Sequence, residues 1–220
     1  MSTAVQASLP RGILYQALLL GSFTLLAAAL LAVADRVTRE PIALRHAEDL
    51  NASLSQVILA GIHDNDLAAN PLTLTDAAGA PVLVYRALRE GQVTGVAYQV
   101  IGNGYAGEIT VILALDAEGQ VLGTRVLAHK ETPGLGDKIE AAKDDWILAF
   151  NGRSLGDPPA ERWGVKKDGG VFDQFSGATI TPRAVVRAIK GGLEFFAANQ
   201  TDLLAPAREA TVHDNAKQVH

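Results

Sequence analysis

Apolar residues run along this chain in three different rhythms. The first is unbroken. From Ile13 to Val33 there is no charged residue, and only Tyr15, Gln16, Gly21, Ser22 and Thr24 interrupt the aliphatic positions. A helix over this stretch is about 31 Å long at roughly 1.5 Å per residue, which matches the hydrocarbon core of a bilayer. Arg11 precedes it, and Asp35 and Arg36 follow closely. The pattern predicts a transmembrane helix over 13–34 after a short N-terminal segment, 1–12. Ala32-Val33-Ala34 also has the small-x-small form of a signal cleavage site. The apolar run exceeds the about 7–15 residues of a signal-peptide core, which favours a retained anchor. Either reading sends the remainder of the chain across a membrane.

The second rhythm is helical. Leu44, Ala47, Leu50, Leu54, Val57 and Ile58 recur at helix spacing, with Arg45, Glu48, Asp49 and Ser55 between them. This predicts an amphipathic helix from Pro41 to Ala60, ended by Gly61. The polar loop His63-Asp64-Asn65-Asp66 follows. Adjacent side chains rarely converge on one ion, so no metal site is expected there. The third rhythm, from Pro81, is that of strands: Val82 to Tyr85, Gly95 to Ile101, Glu108 to Leu115 and Gln120 to Leu127. Asp116-Ala117-Glu118-Gly119 is a hairpin turn between the last two. Short turns between consecutive strands imply antiparallel pairing. Helical spacing returns over Asp137 to Phe150, with Ile139, Trp146 and Ile147 on one side, and over Pro182 to Phe196. Asn151 to Gly170 reads as a loop. The expected class is α+β: a single N-terminal transmembrane helix, a helical connector (35–80), a domain of antiparallel sheet and packed helices (81–204), and a flexible polar tail (205–220).

Composition narrows the chemistry. Hydrophobic residues make up 48% and the mean hydropathy is +0.15, high for a soluble protein, with the excess near the N-terminus. A net charge of −5 and a pI near 5.5 argue against a nucleic-acid partner. The chain has no cysteine, so it forms no disulfide and ligates no iron–sulfur cluster through thiolates. Any redox chemistry must come from a bound organic cofactor.

Three segments carry candidate chemistry. Gly102-Asn103-Gly104-Tyr105-Ala106-Gly107 matches G-x-G-x-x-G. A dinucleotide site needs a helix next, and Glu108 to Leu113 is β-rich, so this is a glycine turn between strands. The turn still lets a flat ligand approach the backbone closely. The second segment is His129-Lys130-Glu131-Thr132-Pro133-Gly134-Leu135-Gly136-Asp137-Lys138, a tight loop between a strand and a helix. Thr132, Gly134 and Gly136 can offer polar groups to the edge of a ring. The third is Asp173-Gln174-Phe175-Ser176-Gly177-Ala178-Thr179-Ile180-Thr181-Pro182. Thr181 as N-cap and Pro182 as first helical residue account for a helix start. Capping does not account for Thr179, nor for the small residues Ser176, Gly177 and Ala178 that leave its hydroxyl open to reagents.

The order of these segments behind an anchor resembles the RnfG family, and the resemblance covers nearly the whole chain. RnfG is the covalent-FMN subunit of the Rnf ion-translocating oxidoreductase. The NqrC subunit of the sodium-pumping NADH:quinone oxidoreductase is similar but typically longer, and remains the alternative. A membrane-anchored binding or sensory domain without redox turnover is the alternative from another class. The resemblance implies FMN joined by a phosphoester to Thr179. Asp173, Ser176, Gly177 and Ala178 would complete the motif recognised by a flavin transferase. It assigns non-covalent FMN contacts to Gly104, Tyr105, Glu131, Thr132, Pro133, Gly134, Leu135 and Gly136. No residue acts as a catalyst of its own and no metal is involved. The expected partners are the membrane itself, other membrane subunits of a multi-subunit Rnf-type complex, and the transferase. The function implied is that of a non-autonomous electron-transfer subunit, in a complex coupling ferredoxin/NAD electron transfer to cation translocation. The setting is a bacterial inner membrane, with 1–12 cytoplasmic and the C-terminal domain periplasmic. Arg36, Arg39 and Arg45 after the anchor, against Arg11 before it, would by themselves favour the opposite orientation.

Overall fold

A computed structural model describes residues 11–206, in two units that meet at Glu48 and Asp49. The N-terminal unit is helical. Helix α1 runs Arg11–Val57, and its stretch Tyr15–Thr38 has a mean hydropathy of 2.4 with none of it buried. It is long and apolar enough to cross a membrane, four residues beyond the expected end. Pro41 does not begin a second helix, because it lies within α1. Of the expected apolar stripe, Leu44 and Ala47 fall outside the described side chains, as residues 207–220 of the expected tail fall outside the described chain. Leu54 and Val57, at the end of α1, belong to the second unit and are buried there.

The second unit is built on an antiparallel meander. Strands β1 (Leu72–Thr75), β2 (Pro81–Arg89), β3 (Gln92–Asn103), β4 (Glu108–Asp116) and β5 (Val121–Ala128) lie side by side in chain order. The expected antiparallel class is therefore present, with one strand more than the apolar pattern indicated. The turn before β5 closes as its sequence demands: Gly119 N–H donates to Asp116 O at 3.2 Å, and Asp116 Oδ1 accepts from Glu118 and Gln120 N–H. The turn between β1 and β2 repeats this chemistry at Asp76, whose Oδ1 accepts from Ala78 and Ala80 N–H.

The sheet is covered on both faces. Along β4, Ile109, Val111, Leu113 and Leu115 point to one side, while Ile112 and Ala114 point to the other. A strand buried on both faces loses the apolar–polar alternation, and β4 reads as a continuous apolar run for that reason. The smaller cluster packs Leu54, Val57 and Ile58 against Tyr85, Ala97 and Ile112. The larger one holds helix α2 (Ile180–Leu203) through Val185, Val186, Ile189 and Leu193. Tyr98 O–H donates across this interface to Gly192 O at 2.8 Å.

Two expected elements differ. Asp137 to Phe150 is not one helix but two short 3-10 turns, Asp137–Ile139 and Asp145–Phe150. Asp144 sits extended between them, and its side chain accepts from Trp146 N–H at 2.9 Å, restarting the chain rather than propagating a helix. The same apolar residues are nonetheless buried. The loop expected over Asn151 to Gly170 is partly core. Trp163 is buried, and its ring joins a cluster in which Phe150 and Phe172 stack at 4.4 Å.

Candidate functional site

The carboxylate of Glu131 explains how the site is assembled. Glu131 stands just beyond β5 and is 5% exposed. Its Oε1 accepts from Ala106 N–H at 3.0 Å, in the glycine turn between β3 and β4. Its Oε2 accepts from the Thr181 hydroxyl in the first turn of α2. A buried carboxylate is costly unless hydrogen-bonded, and here each oxygen has one donor. The glycines around it are required by space. A Cβ on Gly104 would collide with Oε1, and one on Gly136 would stand 2.8 Å from Oε2 and 2.9 Å from Thr181 Oγ1. One side chain thus draws together the Gly104–Gly107 turn, the Glu131–Gly136 loop and the start of α2.

Thr181 is therefore not the helix cap that the sequence suggests. It is fully buried, inside α2, with its hydroxyl committed to Glu131. Position N-cap falls on Thr179, whose φ of −69° and ψ of −26° are already helical, and whose side chain makes no capping bond. A capping side chain needs an extended backbone to fold back onto the helix N–H groups, and Thr179 lacks it. Thr179 is half-buried, and among the described residues its hydroxyl makes no hydrogen bond. The preceding turn opens the approach. Ala178 N–H donates to Phe175 O at 3.2 Å, and Gly177 takes a φ of +80°, the left-handed conformation that the third residue of such a turn adopts. Ser176 and Gly177 are exposed and Ala178 is half-buried.

Of the expected ring-contact residues, Leu135 comes nearest this turn. Leu135 lies 4.0 Å from the position of a Cβ on Gly177. Thr132, Pro133, Gly134 and Leu135 are exposed, and the loop is closed by Leu135 and Gly136 N–H donating to Thr132 O, both at 3.1 Å. Tyr105 is 73% exposed on its turn. Asp173 stands at the far end of the motif: its Oδ1 accepts from Lys166 Nζ at 2.6 Å, and its carbonyl from Trp146 Nε1 at 2.7 Å. Glu131 is an internal clamp, with both oxygens occupied by the protein. His63 to Asp66, by contrast, is tied to β2 through Asp64 and Asn65 and takes no part in the site.

Two features were not read from the sequence. The first is a charged cluster behind the loop. His129 Nε2 meets Glu140 Oε1 at 2.8 Å, while its Nδ1 accepts from Glu131 N–H at 3.0 Å. Lys143 Nζ joins Glu140 and Asp137 at 2.7 and 2.9 Å. Its ammonium holds both carboxyls below their ordinary range, and they in turn hold it above its own. The second is a cavity of about 490 Å³ lined by Asn103, Asp168, Ile180, Arg183, Ala184 and Arg187. Arg183 grips Asp168 with two bonds of 2.5 and 2.6 Å, which lowers the Asp168 carboxyl and raises the guanidinium. The spacing Thr179, Arg183, Arg187 places a cation at each of the two helical turns after Thr179, and was the available signal.

Comparison with known proteins sets this geometry in a family. Residues 104–194 match the FMN-binding domain family, a span that contains all three converging segments. The G subunit of the ion-translocating oxidoreductase complex of Cereibacter sphaeroides is 58% identical over 193 residues, covering 88% of each chain. Its counterpart in Stutzerimonas stutzeri is 48% identical over 187 residues, covering 85% of this chain and 82% of that one. In Pseudomonas aeruginosa the identity is 44% over 219 residues, 96% of this chain and all of the other. Among solved structures, NqrC of Shewanella oneidensis is 25% identical with a TM-score of 0.46, over 62% of this chain and 71% of that one. With identities of 44% to 58% over 85% to 96% of its length, and with a matched FMN-binding domain, this chain belongs to the RnfG family of ion-translocating oxidoreductase complex subunits.

Proposed function

We propose that this chain is the electron-carrying subunit of a membrane complex that couples electron transfer between ferredoxin and NAD to cation movement. It carries FMN joined by a phosphoester to Thr179. The observation that bears most weight is the Thr179 hydroxyl, which neither caps α2 nor bonds elsewhere among the described residues, behind a turn of small residues. The residues suit the group: a hydroxyl to esterify, and a cavity of about 490 Å³ lined from the next residue, Ile180, with guanidinium donors in its lining. Bound FMN supplies the one- and two-electron chemistry that no side chain of this chain offers. The protein's part is to hold and orient it. Thr179 anchors the phosphate, leaving the ring free of covalent strain. Leu135 and Tyr105 provide apolar surface at the rim, and the Thr132–Gly136 loop provides polar backbone.

Thr179 itself requires no neighbouring base, because a separate flavin transferase would supply activation. Asp173, Ser176, Gly177 and Ala178 form the surface such an enzyme reads. The domain beyond α1 lies on the periplasmic side, where a tether prevents loss of the cofactor. The names of the relatives support the placement in a complex with other membrane subunits.

The decisive experiment is co-expression of the full chain with a flavin transferase, followed by denaturing electrophoresis and mass spectrometry of the peptide containing Thr179. Flavin fluorescence migrating with the polypeptide, and FMN mass on Thr179, are expected. Thr179→Ala should abolish both while the chain still folds. Covalent flavin retained in Thr179→Ala would move the attachment elsewhere.

A further inference from the structure

Arg183 and Arg187 are unusual surface cations. Arg187 is exposed, and among the described residues it makes no hydrogen bond or ion pair, although its charge acts on Asp168. Arg183 lies one turn after Thr179, and its backbone N–H donates to Thr179 O at 3.3 Å. Helical side chains lean toward the N-terminus, so Arg183 reaches back over the turn that begins at Thr179, and Arg187 reaches back toward Arg183. Both line the cavity together with Asn103, an exposed amide with no partner among the described residues, and the apolar Ile180 and Ala184. Folding gains little from Arg187, which is exposed and has no hydrogen bond or ion pair among the described residues.

We propose that Arg183 and Arg187 form a phosphate subsite that holds the phosphodiester linking FMN to Thr179. This deepens the reading of Thr179 as the attachment point and rests on it. A phosphodiester carries one negative charge and two free oxygens. A planar guanidinium meets it with parallel N–H donors, which an ammonium does not offer. Asp168 orients Arg183 and competes for it, while Arg187 makes no direct bond to a carboxylate among the described residues. A phosphate gripped beside α2 fixes the near end of the ribityl chain, so the ring swings through less volume than a free tether would allow.

The test uses the full chain in detergent micelles, prepared without transferase. It is titrated with FMN and with riboflavin, which lacks the phosphate, by quenching of flavin fluorescence. FMN should bind about tenfold more tightly than riboflavin, the size of one charge-assisted hydrogen bond. Arg187→Gln and the double variant Arg183→Gln/Arg187→Gln should bring the ratio toward one. Asp168→Asn should raise it, because it releases Arg183. No FMN binding at millimolar concentration, equal binding of the two flavins, or an unchanged ratio in the double variant would each overturn the subsite. An unchanged ratio with impaired assembly of the complex would assign the arginines to a partner surface instead. Failure of the parent reading is distinguishable: the wild-type chain would then carry no FMN on Thr179 after exposure to the transferase.

Discussion

Substitution of Thr181 separates two accounts of the same residue. As a helix cap, Thr181 would tolerate Ser, Asn or Asp, which cap as well or better. As the buried donor to Glu131 it tolerates none of the charged choices. Thr181→Val is nearly isosteric and opens no cavity, so its cost is the lost bond to a carboxylate, about 2 kcal/mol. At about 2–4 °C per kcal/mol for a domain of this size, the melting temperature should fall by about 4–8 °C. Thr181→Asp sets a second carboxylate against Glu131 where neither can be solvated, and should cost several kcal/mol more.

The assay is thermal unfolding of the full chain in detergent, followed by tryptophan fluorescence. The chain has two tryptophans, Trp146 and Trp163, and both are buried in the second unit. A double-mutant cycle with Glu131→Gln isolates the pair. Residues in direct contact should show a coupling of about 1–2 kcal/mol rather than additivity. Thr181→Asp within about 1 °C of wild type, together with an additive cycle, would refute the clamp and restore the cap.

Further outcomes follow from the surrounding contacts. Gly136→Ala should destabilise by about 1–3 kcal/mol through displacement of the Glu131 side chain, whereas Gly61→Ala, with nothing within 4 Å of the added methyl, should be close to neutral in the same melting assay. Trp146→Phe removes the donor to the Asp173 carbonyl at 2.7 Å and should cost about 1–2 kcal/mol, read as a lower urea midpoint. Lys143 lowers the Asp137 and Glu140 carboxyls, so its contribution is present at neutral pH and disappears as the pH falls below their ordinary values of 3.8 and 4.5. The stability gap between wild type and Lys143→Met should therefore be full above about pH 5 and close toward about pH 3, measured by urea unfolding across that range.

Much of this was legible in the sequence, for identifiable reasons. Each site segment needs glycine at a turn or a close approach, and glycine marks itself. The antiparallel class followed from short turns between apolar runs. Strand β1 was missed although its signal was present: Asp76-Ala77-Ala78-Gly79 repeats the turn chemistry of Asp116-Ala117-Glu118-Gly119 almost letter for letter. The short strand Leu72–Thr75 alternates Leu with Thr and is only half-buried, so its apolar content is too low to stand out. Ile139, Trp146 and Ile147 fit a helical period, but they fit two 3-10 turns separated by an aspartate equally well, and Asp144 decided between them. Arg183 and Arg187 were not singled out in the sequence, because only the cavity places Asp168, Asn103 and Ile180 beside them.

What sequence could not supply is why the Thr179 hydroxyl should be held in one place at all, since a turn of Ser, Gly and Ala has every reason to be loose. The two ends of that turn answer it. On one side Phe175 is 8% exposed, with its ring 5.2 Å from that of Trp146, whose own N–H secures the Asp173 carbonyl. On the other side Thr181 is wholly buried against Glu131. Only Ser176 to Ile180 bridges these anchors, and a bridge this short has few conformations to lose when a modifying enzyme or a bound group engages it. Openness of the turn comes from its small residues and definition from its fixed ends. A substitution at Phe175 or Glu131 should therefore slow modification of Thr179 without touching it, and a substitution that merely enlarges Ser176 should act by blocking access instead.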